Sequence, residues 1–169
     1  MSQTIRPISY EFLSGDAFRR FLSRFDEGFK ENTRLDAAPW RYFTLPHFRF
    51  FMLGSDTDVQ AVMVTSVHDS SEHLNFLYVD AAQRSLGLGE TLMTFWQQQA
   101  SRPLLTIHVK QDLQRTQAFY ASLGFAVADL SDPPANLRPW IDKALAFSAD
   151  TYDDAVLMWR QAAEPDKTR

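Results

Sequence analysis

VDAAQRSLGLGETLMTFWQQQA, residues 79–100, is the stretch on which the fold turns. An extended segment ending in Val79 and Asp80 gives way to a helical pattern, and Gly87 and Gly89 stand one residue apart at the change. After them Leu88, Leu92, Phe95, Trp96 and Gln99 recur as one helix face, bounded by Pro103. Glycine lets a ligand approach the main chain, and the first N–H groups of a helix have no intrahelical acceptor. Aided by the positive end of the helix dipole, those donors suit a phosphate or pyrophosphate. A tight strand-to-helix turn explains the same two glycines, and Gly-x-Gly alone favours that plainer account. Two familiar phosphate motifs fail. No Lys follows either glycine as a P-loop needs, and Leu92 stands where the dinucleotide fingerprint wants its third glycine.

Upstream, FRFFMLG, VQAVMVTSV and LNFLYVD read as three strands separated by the turns SDTD and HDSSEH, an antiparallel meander. Before them comes a short strand in TIRPISY. A helix follows over SGDAFRRFLSRFDEGFKEN, with Phe18, Phe21, Leu22, Phe25 and Phe29 at helical spacing and Ser14 or Asp16 as N-cap. Downstream, LLTIHVK is a strand and LQRTQAFYASLG a helix capped by Gly124. FAVADLS is strand-like, PWIDKALAF begins a short helix at Pro139, and AVLMWRQ closes the fold. The order β-α-β-β-β-α-β-α-β-β predicts an α+β class with a mixed, mostly antiparallel central sheet flanked by helices.

With 169 residues, 45% of them hydrophobic, the chain can bury a core without staples. We expect one domain over residues 1–160 and a C-terminal tail over 161–169. There is no cysteine, which excludes a disulfide framework and a thiol nucleophile and suits a reducing, cytoplasmic setting. No apolar stretch approaches the roughly 20 residues of a membrane span, so no membrane association is expected. The net charge is −4 with scattered Lys and Arg, which argues against nucleic acid as partner.

VDAAQRSLGLGETLM resembles motif A of the GNAT family, the GCN5-related N-acetyltransferases. There a strand ending in Val-Asp leads into Gln/Arg-x-x-Gly-x-Gly/Ala and a helix. AFYASLGF (118–125) resembles the family's Phe-Tyr-x-x-x-Gly-Phe segment, and YDDAVLMWRQ is similar to the final strand of its ribosomal-protein N-terminal acetyltransferase branch. The likeness spans about residues 59 to 160. It implies the GNAT acyl-CoA N-acyltransferase fold, acetyl-CoA as acyl donor and no metal. It further implies that the backbone amides of Arg84, Ser85, Leu86, Gly87, Leu88 and Gly89 hold the pyrophosphate, while Leu77, Tyr78 and Val79 pair with the pantetheine arm.

The implied reaction moves an acetyl group to a primary amine, on a small molecule or a protein N-terminus, by direct attack in a ternary complex. The alternative is a catalytically quiet acyl-CoA-binding sensor or interaction domain. Monomer and homodimer both fit. The resemblance makes Tyr120 the proton donor to the leaving thiolate; taken without it, Phe119 and Tyr120 are core aromatics. His108 stands twelve residues before the Tyr, where the bacterial N-terminal acetyltransferases carry a Glu base. Strand parity puts it with Thr106 and Lys110 on the more polar face, and its reference pKa near 6.5 suits a base. A hydrogen-bonded structural His explains it equally well.

Two positions depart from the pattern: Leu113 replaces a frequent Asn, and Leu86 a frequent Lys or Arg. His68, Asp69, Glu72 and His73 flank one turn and read as a solvated polar turn rather than a metal site. Trp40, Tyr42, Phe43, His47 and Phe48, with Trp140, are candidates for an apolar acceptor wall, or for core or dimer packing.

Overall fold

The computed structural model describes residues 4–9, 12, 15–23, 46–139, 141 and 155–162. Among these are seven sheet strands and three α-helices. They are β1 (Arg6–Pro7), α1 (Asp16–Ser23), β2 (Phe48–Gly54), β3 (Val59–Val67), β4 (Ser71–Val79), α2 (Leu88–Gln99), β5 (Leu104–Lys110), α3 (Gln114–Ser122), β6 (Ala126–Val127) and β7 (Ala155–Gln161). The expected α+β class, with a mostly antiparallel sheet, is what the chain adopts. It forms two compact units, Met1–Ser66 with Leu74–Trp96, and Val67–His73 with Gln97–Arg169.

In the first unit the strand order is β1-β2-β3-β4. β2 and β3 run antiparallel from Phe48↔Ser66 to Gly54↔Val59, so the predicted meander is present at its predicted limits. These runs are strands because β-branched and aromatic residues fit a pleated surface covered by side chains. Phe18 and Phe21 of α1 are buried against Phe50, Met52, Val59, Val62, Val64 and Tyr78. The Phe21 and Tyr78 rings meet edge-on at 5.5 Å, so Phe21→Ala should cost about 3–5 kcal/mol.

The entry to α1 differs from expectation. Asp16 lies inside its first turn, and the Arg19 amide donates to the Gly15 carbonyl, so Gly15 is the N-cap and the helix begins at Asp16. Ser14, Phe25 and Phe29 lie outside the described residues. α2 buries Leu88, Leu92, Met93 and Trp96, while Gln99, expected on that face, is exposed.

In the second unit the order is β5-β7-β6. β5 and β7 pair antiparallel from Leu104↔Gln161 to Lys110↔Ala155, and Val127 of β6 faces Met158. Leu104, Ala128, Leu137, Ile141 and Leu157 form its core, with Trp159 against them. Arg138, Pro139 and Ile141 are helical, as the short helix at Pro139 predicted.

α3 ends at Leu123 and Gly124, whose φ of +86° supplies the left-handed cap expected there. The Leu123 carbonyl then accepts from Arg160 Nη1 and, at 3.3 Å, from Gln97 Nε2, while Gln97 Oε1 accepts from Arg160 at 2.8 Å. One guanidinium thus satisfies a carbonyl that the helix end leaves without a partner.

β4 begins three residues before the expected strand, and the turn shrinks to a His68 amide donating to Ser71 O at 2.8 Å. The polar residues Ser71 and Glu72, taken from sequence as a solvated turn, are fully buried. Glu72 tolerates this because Oε1 accepts from the Ser101 amide and hydroxyl at 2.7 and 2.9 Å. No group of three potential metal ligands occurs among the described residues.

Candidate active site

The loop after β4 is built from backbone. Asp80 Oδ1 accepts from the Ala82 amide at 3.1 Å and starts a single 3-10 turn over Ala81–Gln83. Arg84 returns to extended geometry, and its Nε donates to the Val79 carbonyl at 3.3 Å with the guanidinium 5.6 Å from the Tyr78 ring. Ser85 and Gly87 both take positive φ, 68° and 76°, and Ser85 is the only non-glycine to do so among the described residues. Residues held in that region cost about 1–3 kcal/mol and gather at functional turns.

Gly87 is then the N-cap of α2, its carbonyl accepting from Thr91 N at 2.9 Å and Thr91 Oγ1 at 3.0 Å. A Cβ built on Gly87 would meet nothing within 4 Å. The residue is therefore glycine for its backbone angle, and the space above it is open to a ligand. Arg84, Ser85, Leu86 and Gly87 are exposed, Leu86 at 64%, whereas Leu88 is buried as the first core residue of α2. The first N–H groups of α2 have no acceptor within the helix. Glu90 is the acid of this turn, favourable to the dipole and opposed to an anion.

Leu77, Tyr78 and Val79 close β4 in the same unit. Tyr78 is 2% exposed and belongs to the core, so what this strand end offers a ligand is backbone.

The two side-chain candidates lie in the second unit. His108 sits on β5 between the buried Ile107 and Val109; on its own face Thr106 is fully buried while His108 and Lys110 are half-buried. Burial lowers the His108 pKa from 6.5 to about 4, and the ring is neutral at pH 7. It packs edge-on against His73, centroids 5.3 Å apart. His73 is pushed well below 6.5 by burial first, then by His108 and His68.

Tyr120, 6% exposed, is the one buried residue of α3 and packs on Phe119 at 5.1 Å and Phe125 at 6.2 Å. Desolvation pushes its phenol above the usual 10, so it keeps its proton and can serve as a donor. Leu113, in the place of the frequent Asn, stands at the start of α3 with no side-chain cap bond. Gln117 Nε2 instead donates to the Lys110 and Gln111 carbonyls, both at 3.0 Å. Trp40, Tyr42, Phe43 and Trp140 lie outside the described residues. His47 and Phe48 stack at 4.6 Å where β2 begins.

Residues 25–134 match the sequence profile of the Acetyltransferase (GNAT) domain. The chain belongs to the GNAT acetyltransferase family. Comparison with curated proteins finds no significant match. Solved structures of the GNAT fold do match. The ribosomal-protein-S18-alanine N-acetyltransferase from Escherichia coli superposes with TM-score 0.62 at 18% identity, covering 99% of each chain. PaiA N-acetyltransferase from Thermoplasma acidophilum, in complex with coenzyme A, gives 0.63 at 15% identity over 95% of this chain and 99% of its own. A GNAT family acetyltransferase from Elizabethkingia anophelis with acetyl-CoA bound gives 0.59 at 13% over 94% and 97%. At such identities the likeness is one of GNAT fold.

Sequence reasoning picked out His108 but missed its surroundings. Thr106, His73, Glu72 and Ser101 join through side chains from β4, β5 and the segment before β5. Their sequence separations of up to 34 residues carry no local signal.

Proposed function

We propose that this GNAT domain transfers the acetyl group of acetyl-CoA to a primary amine by direct attack. The observation that carries the reading is the turn at Ser85 and Gly87. Its two left-handed residues, with open space over Gly87, lead into a helix N-terminus. Acetyl-CoA supplies an activated thioester. The amides of Arg84, Ser85, Leu86, Gly87, Leu88 and Gly89 bind its pyrophosphate, and the backbone of Leu77, Tyr78 and Val79 pairs with the pantetheine arm. With no cysteine in the chain, no cysteinyl acyl-enzyme forms.

In this mechanism the amine nitrogen attacks the thioester carbon, the C–S bond breaks, and the surplus proton on nitrogen passes to His108. Tyr120 donates a hydrogen bond to the departing thiolate. A phenol above 10 facing a thiolate near the thiol reference of about 8.5 stabilises it by that bond rather than by full proton transfer. A base held at about 4 cannot strip an alkylammonium of pKa about 10.4. His108 takes the proton only after the C–N bond has formed, when the nitrogen is strongly acidic. The acceptor must therefore arrive neutral. An α-amino group, with its pKa of about 7.7–8.0, does so far more often at pH 7 than an alkylamine. This favours a peptide N-terminus, in keeping with the final-strand likeness.

The test follows free thiol release from acetyl-CoA with a panel of peptides and alkylamines at pH 7. Acceptor-stimulated release, greater for peptides, is expected. Tight coenzyme binding with no release would instead establish a quiet acyl-CoA-binding domain, and absence of binding would end both readings.

A further inference from the structure

We propose that His73 is a positioning residue for His108, held in one tautomer by Thr106, and that it governs proton removal from the acceptor. The proposal rests on the acetyltransferase reading above, with His108 as base.

Hydrogen counting carries the argument. Thr106 Oγ1 lies 2.9 Å from His73 Nδ1 and 3.3 Å from the Glu72 carbonyl oxygen. A carbonyl only accepts, so the single hydroxyl hydrogen goes to Glu72 and Oγ1 accepts from His73 Nδ1–H. That fixes the proton on Nδ1 and leaves Nε2 as the basic nitrogen of His73. The string does not drift, because Thr106 is fully buried and Glu72 is itself pinned by both donors of Ser101. The oriented His73 ring then packs at 61° on His108, fixing the plane of the base.

The same pair controls charge. Two imidazoles at this distance resist double protonation, and their titration belongs to the pair. His108 takes the first proton, and His73, which carries the repulsion of both His108 and His68 besides its burial, stays neutral. On their own strands the ionisable neighbours are Glu72, next to His73 on β4, and Lys110, on the His108 side of β5, while β7 pairs Leu157 opposite His108. A neutral, oriented His73 packed on His108 sets the ring plane of the base and covers one side of it.

The experiment compares pH profiles of kcat/KM for thiol release, with a peptide acceptor, in wild type, His73→Asn, Thr106→Val and Thr106→Ser. His73→Asn keeps a donor for Thr106 but lacks the ring. It should lower kcat about tenfold, part of the 10²–10⁴ that a general base supplies, and leave the KM for acetyl-CoA unchanged. The acceptor's α-amino group sets the first acidic break near its own pKa of about 7.7–8.0. Water entering beside His108 should move the second, steeper acidic limb from near pH 4 up towards 6.5. Thr106→Val, which keeps the side-chain volume, should act in the same direction, and Thr106→Ser should restore the wild-type profile. Imidazole ¹⁵N shifts should place the His73 proton on Nδ1. Wild-type release with an unmoved limb in both impaired variants, a serine variant as impaired as the valine one, or a proton on Nε2 would each overturn the positioning role alone. A wild-type protein that releases no thiol with any acceptor overturns the acetyltransferase reading instead, and this role with it.

Discussion

The loop from Asp80 to Gly89 and the β5–α3 region do opposite things with their polar groups. The first leaves backbone amides in the open and shapes them with two positive-φ residues. The second buries its side chains, so that His108 falls to about 4 and Tyr120 holds its proton. A site that grips an anion gains from exposed, fixed dipoles, whereas a site that moves protons gains from a dry surrounding that sets the protonation state. On the function we propose, coenzyme affinity belongs to the loop and turnover to the buried residues.

His108→Gln should test that division most sharply. We expect kcat to drop about 100-fold with coenzyme affinity unchanged by calorimetry, the lower bound of what a general base contributes. Tyr120→Phe should reduce kcat about tenfold, the loss of one hydrogen bond to a charged sulfur, again with affinity intact. Gly87→Val should do the converse. It forces a β-branched residue to φ near 76° at a cost of about 1–2 kcal/mol, and coenzyme Kd should rise about tenfold while the purified protein still folds. If affinity moved in the Tyr120 variant, or kcat alone in the Gly87 variant, the division would be lost.

Acid should distinguish the regions by stability. The folded pKa of His108, about 4, lies below its unfolded 6.5, so the unfolded chain binds more protons between those values. Stability is therefore complete above about pH 6.5 and declines as pH falls to 4, by at most about 1.4 kcal/mol per pH unit. His73 adds to the same slope. Denaturant midpoints at pH 7 and 5 measure it, and His108→Gln should flatten it. The smallest effect concerns Leu86. Replacing this exposed residue by Lys should tighten coenzyme binding about threefold at low salt and less at high salt.

Much of this was legible in the sequence where the determinants are local. FRFFMLG, VQAVMVTSV, LLTIHVK and AVLMWRQ coincide with β2, β3, β5 and β7, since each is a run of β-formers between turn residues. The turn from strand to helix at Gly87 was legible for the same reason, being one contiguous motif. The start of β4 was not, because Ser71, Glu72 and His73 look like a turn until Ser101 and Thr106 engage Glu72 and His73 from elsewhere in the chain. FAVADLS was expected as a strand, yet β6 covers only Ala126 and Val127, with the Ala128 amide still donating to the Leu157 carbonyl; Asp129 instead accepts from the Ser131 amide and hydroxyl in a local turn. His108 was visible by spacing and His73 was not, for ring packing across strands leaves no periodic trace.

The seating of β7 between β5 and β6 bears on how the chain is made. During synthesis β5 leaves the ribosome well before Ala155 exists, so one edge of a strand carrying Leu104, Leu105 and Ile107 waits without its final neighbour. Until then it is a template for any other extended peptide. A nascent or prematurely stopped product lacking residues 155–161 should accordingly precipitate or engage chaperones, whereas the finished polypeptide closes that edge with its last described strand.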